Sequence, residues 1–233
     1  MRRTSRHRQW TFVLVLCLAA TTASGALLAA RAWRTHSPPG DFGRPPAASD
    51  PASAGRSTSP VPTTKTPRTT PTDRRPGVSA RVAVQLTPRA IRLPRLGVDA
   101  AVDRVGVDGR GDVEVPEDAR RVGWYRFSPP PGAPAGSTVI VGHVDSRTQG
   151  LGVLAALAGV RRDDRLSVVR GDGTTLHYTV TSRRTVPKDA LGASGVFRRE
   201  GRPVVSLVTC TGPYLEGRGG YQDNLIVTAV PED

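Results

Sequence analysis

His143 and Cys210, 67 positions apart, carry the chemistry that this chain offers most directly. Cys210 ends the run Val204-Val205-Ser206-Leu207-Val208-Thr209-Cys210, and Thr211-Gly212-Pro213 breaks that run at once. A strand holds a sulfur rigidly and the loop after it leaves room for a substrate, which is the placement a nucleophile needs. The only other cysteine, Cys17, lies in an N-terminal hydrophobic stretch, so Cys210 has no disulfide partner in its own domain. Three readings follow for such a thiol: reactive, buried and inert, or paired with another chain. His143 closes Ser137-Thr138-Val139-Ile140-Val141-Gly142-His143 in the same manner, at a strand end followed by a polar break. A lone histidine is most often a hydrogen-bonded structural residue. Spacing alone leaves that reading and the catalytic one level.

The elements that would position these two residues are strands. Alternating or continuous β-branched runs occur at 90–93, 101–107, 137–143, 166–170, 175–180, 204–209 and 225–230. Asp108-Gly109, Gly111-Asp112, Pro129-Pro130-Pro131-Gly132 and Gly171-Asp172-Gly173 separate them as turns. Many short strands with turns between them predict a barrel or sandwich. Leu151-Gly152-Val153-Leu154-Ala155-Ala156-Leu157 has helical spacing, and a short helix there could wall a site at the end of the His143 strand.

This folded part, residues 81–233, is long enough for one domain with a real core. Before it come a basic end at 1–9, an apolar stretch at 10–33 and a Pro/Ser/Thr-rich segment at 34–80. About twenty helical residues span the roughly 30 Å of a bilayer core, so 10–33 reads as a transmembrane signal-anchor. The basic cluster before it keeps that end in the cytoplasm and sends the rest of the chain outside. A cleaved signal peptide is the rival, given the small residues Ala23-Ser24-Gly25 and Ala29-Ala30. Segment 34–80 holds too little large apolar surface to offset its ordering entropy and reads as a disordered tether. If fully extended it would reach on the order of 140 Å.

Of the net charge of +13, +9 lies in residues 1–80, which have twelve basic and three acidic residues. The remainder, with twenty-one basic and seventeen acidic residues, has an ordinary balance, so the high pI is no argument for nucleic-acid binding. Only Lys65 and Lys188 interrupt a uniform use of arginine, a usage that reads as GC-rich coding. Asp163-Asp164 reads as a turn, since no convergent set of oxygen ligands accompanies it, and no metal or cofactor is expected. His177, inside a strand pattern, reads as structural. Trp124 and Tyr125 read as core or loop anchors.

The segments Leu207-Val208-Thr209-Cys210, Val141-Gly142-His143-Val144-Asp145 and Tyr221-Gln222-Asp223-Asn224-Leu225-Ile226-Val227-Thr228-Ala229, in that spacing, resemble a sortase, specifically the class F type of actinobacteria. Ile91-Arg92-Leu93-Pro94 and Gly123-Trp124-Tyr125-Arg126-Phe127 fit the same family's opening strands and loop, so the resemblance covers residues 88–231. It implies a mainly β fold, an eight-stranded barrel with short helices, with the catalytic cysteine and histidine at one end. It also implies transpeptidation. Cys210 attacks the Thr-Gly bond of an LPXTG-type sorting signal on a secreted protein, and an amine, in many sortases one supplied by a cell-wall precursor, resolves the thioester.

The resemblance further implies an arginine just before the Asp-Asn pair of the last strand, and there this chain departs from the pattern with Gln222. Arg218 is the nearest basic residue and the first candidate for that role, with Arg126 second. Asp145, two positions past His143, reads either as a turn former or as a histidine orienter. Thr209 shapes the backbone beside the thiol or is simply a strand threonine. Three function classes stay in view: a sortase, another extracytoplasmic cysteine peptidase, and a noncatalytic surface-binding module.

Overall fold

The computed structural model describes residues 40–46 and 86–232; the basic end, the anchor stretch and most of the tether lie outside the described residues. The described residues form ten strands: β1 (Pro88–Leu93), β2 (Val98–Val105), β3 (Val122–Tyr125), β4 (Ser137–Gly142), β5 (Asp145–Ser146), β6 (Gly150–Leu151), β7 (Arg165–Arg170), β8 (Thr175–Pro187), β9 (Val204–Leu215) and β10 (Gly220–Pro231). Eight of them close a barrel in the order β1-β2-β3-β4-β9-β10-β8-β7, and β5 and β6 form a separate small hairpin. The eight-stranded barrel expected from the resemblance is therefore present.

Sequence pattern explains which strands sit in the middle. In β1, buried Ile91 and Leu93 alternate with exposed Arg92, as suits a strand with one face in the core. Strand β4 is buried at all six positions, as are 204–209 of β9 and 224–229 of β10. Those runs are covered on both faces. Ile140, Leu207, Leu225 and Val227 point into the barrel core, while Val139, Val141, Val208 and Ile226 join a second cluster with Val196.

Strand β9 does not stop at Cys210. It runs on to Leu215, paired with β10 through Tyr214↔Tyr221 and Leu215↔Gly220. The Thr211-Gly212-Pro213 break expected from sequence is instead a kink within the strand. Gly212 has φ +81°, a conformation open to glycine, and the β10 register shifts between Tyr221 and Asp223. Pro213 is tolerated because the β4-facing edge of β9 is free from this point on.

The helix expected at 151–157 is a 3-10 helix at Val153–Gly159, bracketed by glycines and too short for a stable α-helix. Its Leu154 and Leu157 are fully buried in the barrel core, so it backs the end of β4 from within and does not wall the cleft described below.

Part of the segment read as tether is ordered. Phe42, the only aromatic residue between 34 and 80, pairs with Arg183 by hydrogen bonds of 3.0 and 2.8 Å. Asp41 accepts hydrogen bonds from the Thr185 amide and hydroxyl at 2.7 and 3.2 Å. The physical reason is an open edge. Strand β7 pairs with β8 only as far as Thr179, and Gly40–Pro46 runs along the strand backbone left beyond it.

Candidate active site

The parallel β4–β9 ladder builds the site. Ser137 faces Val204 and Val141 faces Val208, an offset of 67, which is also the separation of His143 and Cys210. The pairing ends there: β4 stops at Gly142, His143 follows it directly, and Cys210 lies two residues past Val208 on β9. Because the strands are parallel, both residues leave the ladder at one rim of the barrel. Side chains alternate along a strand, so His143 follows the face of Val139 and Val141, and Cys210 that of Ser206 and Val208.

Cys210 is half-buried and lies in a cleft of about 280 Å³. Val113, Val115, Leu191 and Phe197 make its walls apolar, and Val141 and Val208 continue them along the ladder. Asn224, directly opposite Cys210 on β10, and Lys188, which opens the 3-10 turn after β8, add polar groups. Burial pushes the Cys210 thiol above its ordinary range; the Lys188 charge pulls it down and the Asp145 charge pushes it up.

His143 Nε2 donates to the Pro116 carbonyl at 2.9 Å. A carbonyl can only accept, so this contact places the proton of the neutral ring on Nε2 and leaves Nδ1 with the free lone pair. Among the described residues no hydrogen bond joins the ring to the sulfur. Among the described residues no hydrogen bond joins Asp145 to His143; the Asp145 carboxylate accepts from the Tyr221 hydroxyl. That contact, as the leading cause, pushes the Tyr221 phenol up to about 12.

His143 is not among the residues that line the cleft, and Arg218, Arg126 and Gln222 also fall outside it. Arg218 lies on the turn Glu216–Arg218, at the tip of the β9–β10 hairpin. Five residues of strand separate Cys210 from the end of β9, about 16 Å at ~3.3 Å per residue. Arg126 follows β3, with its guanidinium 4.8 Å from the Phe127 ring centre. The Gln222 amide is folded back onto the turn, donating to the Gly220 carbonyl at 2.5 Å. Thr209 is buried and contributes to the cleft. His177 bonds Ser167 across the β7–β8 pair at 3.1 Å, Trp124 donates to Ser128, and Asp164 pairs with Arg95.

Sequence reasoning assigned no role to Pro116, Asn224 or Lys188. Asn224 was legible as the residue two before Ile226 on a strand facing Cys210. The signal for Lys188 was its rarity, read above as codon usage.

Gly152 ties the histidine to the core. A Cβ at this position would lie 2.2 Å from the His143 carbonyl oxygen and 2.6 Å from its carbon. The Gly152 amide also bonds the Val144 carbonyl at 2.9 Å. Gly152→Ala is expected to displace the His143 backbone and to cost about 1–3 kcal/mol of stability. Thermal unfolding together with peptide turnover checks this, with turnover falling further than the stability loss accounts for.

The family pattern described as "Sortase domain" matches residues 91–232. Among solved structures, "Sortase C1 of GBS Pilus Island 1" is similar at 22% identity and a TM-score of 0.47, covering 62% of this chain and 63% of that one. Sortase C-1 from Actinomyces oris is similar at 24% identity and a TM-score of 0.49, covering 69% and 84%. The lid mutant of sortase A from Corynebacterium diphtheriae matches at 22% and 0.48, covering 62% and 69%. No curated protein matches the chain. With the family pattern spanning more than half its length, the chain belongs to the sortases, a family of cysteine transpeptidases.

Proposed function

We propose that this sortase, of the class F type, cleaves the Thr-Gly bond of an LPXTG-type signal through a thioester on Cys210 and transfers the acyl group to an amine. The observation that supports the reading is the parallel β4–β9 ladder: Cys210 lies in an apolar cleft just past its end, and His143 follows the last residue of β4 at that same end. The apolar walls suit the Leu-Pro part of such a signal.

The Cys210 thiolate attacks the threonine carbonyl carbon. The sulfur–carbon bond forms and the carbonyl pair moves onto oxygen. Collapse of that oxyanion expels the glycine amine, which takes its proton from the His143 imidazolium. Neutral His143 then accepts a proton from the incoming amine as it attacks the thioester, and Cys210 leaves as thiolate. A cleft with mostly apolar walls keeps water scarce and favours the amine over hydrolysis.

Residues 10–33 would hold the enzyme in the membrane by a single span, with the barrel outside and secreted proteins as substrates. A cell-wall precursor is the acceptor that this setting suggests.

Incubation of the full-length protein with an LPXTG-type peptide and an amine tests the reading. Amide exchange at threonine, with a trapped thioester on Cys210 by mass spectrometry, is expected. Cleavage elsewhere, or of peptidoglycan, would point to another cysteine peptidase, and no thioester at all to a binding module.

A further inference from the structure

The cleft around Cys210 is not without a cation. Lys188 lines it, and among the described residues Lys188 forms no ion pair. The strand order explains its presence. Cys210 on β9 faces Asn224 on β10, which faces Val186 on β8. Strand β8 ends at Pro187 beside Asp223, and Lys188 follows it at the start of the 3-10 turn. Two strand spacings, about 10 Å, separate β9 from β8, and Lys188 and Cys210 line the same cleft at that end of the two strands.

We propose that the Lys188 ammonium supplies the positive charge of this active site, stabilising the Cys210 thiolate before attack and the oxyanion after it. Lys188 gives up no proton in either step: it remains ammonium while the carbonyl pair moves onto oxygen and returns. Other titratable groups surround the sulfur. Asp112 lies in the cleft, His143 across the β4 ladder, and Asp145 with Tyr221 on the hairpin side. The two carboxylates oppose a thiolate, and Lys188 is the one fixed cation lining the cleft among the described residues. The oxyanion part rests on the transpeptidase reading above; the thiolate part does not.

The test follows alkylation of Cys210 by iodoacetamide against pH, site by site by mass spectrometry, in the full-length protein. In Lys188→Met the midpoint is expected to move upward by about 0.5–1 pH unit, and Lys188→Arg to restore most of it. Added salt should move the wild type toward the Lys188→Met profile, as a screened charge requires. Acylation by the peptide should fall roughly 10- to 100-fold in kcat/KM in Lys188→Met. Equal alkylation midpoints in wild type and a Lys188→Met protein with unchanged thermal unfolding would overturn the proposal. So would a shift that follows Arg218→Gln and spares Lys188→Met. Alkylation needs no peptide, so a wild type that the peptide never acylates ends the sorting reading while the Lys188 result still stands or falls on its own.

Discussion

Cys210→Ala is expected to leave the barrel folded and to remove the thioester entirely, with peptide turnover falling by about 10⁴-fold or more. The size of the effect follows from what is lost. Without the sulfur no covalent intermediate forms, and the neighbouring groups retain only binding and charge. The fold should tolerate the change, because Cys210 lies beyond the last β4–β9 pair, at the point where β9 passes from buried to exposed positions. Intact-mass measurement after incubation with peptide shows the adduct in wild type and its absence in the variant. An adduct persisting in Cys210→Ala would place the nucleophile elsewhere.

His143→Ala is expected to lower kcat/KM by roughly 10²- to 10⁴-fold and to change the shape of its pH profile. Burial holds the thiol above its ordinary range, so thiolate grows as pH rises toward that raised value. Protonation of the leaving amine also draws on the imidazole, which the variant lacks. The variant is therefore expected to keep a low rate that rises with thiolate alone. A variant with the wild-type rate and profile would show that another group donates the proton.

Both residues were legible in the sequence because each closes a strand whose apolar run is continuous, and β4 and β9 are read easily since both their faces are covered. Strand β3 was not read as a strand on its own pattern: four residues including Gly123 carry too little alternation. The extension of β9 to Leu215 was hidden because Gly and Pro signal a break, whereas pairing with β10 overrides them here. The 3-10 geometry of 153–159 is set by tertiary contacts, among them the Val153 amide bonding the Ala119 carbonyl at 2.8 Å. Phe42 was part of a segment whose composition argues for disorder, and an open strand edge far along the chain gives it a partner. Lys188 reaches the site through strands that are not neighbours in sequence, so spacing along the chain held no trace of it.

In the proposed mechanism, alignment is a property of backbone counting. The strands that carry sulfur and imidazole are matched by a ladder of main-chain hydrogen bonds, so side-chain swaps along β4 and β9 disturb packing before they disturb alignment. Deleting one residue between 137 and 143, or inserting one between 204 and 210, flips one partner to the opposite face. The turns between β5 and β9, by contrast, can lengthen or shorten without changing that count, provided that β7, β8, Gly152 and Lys188 keep their places.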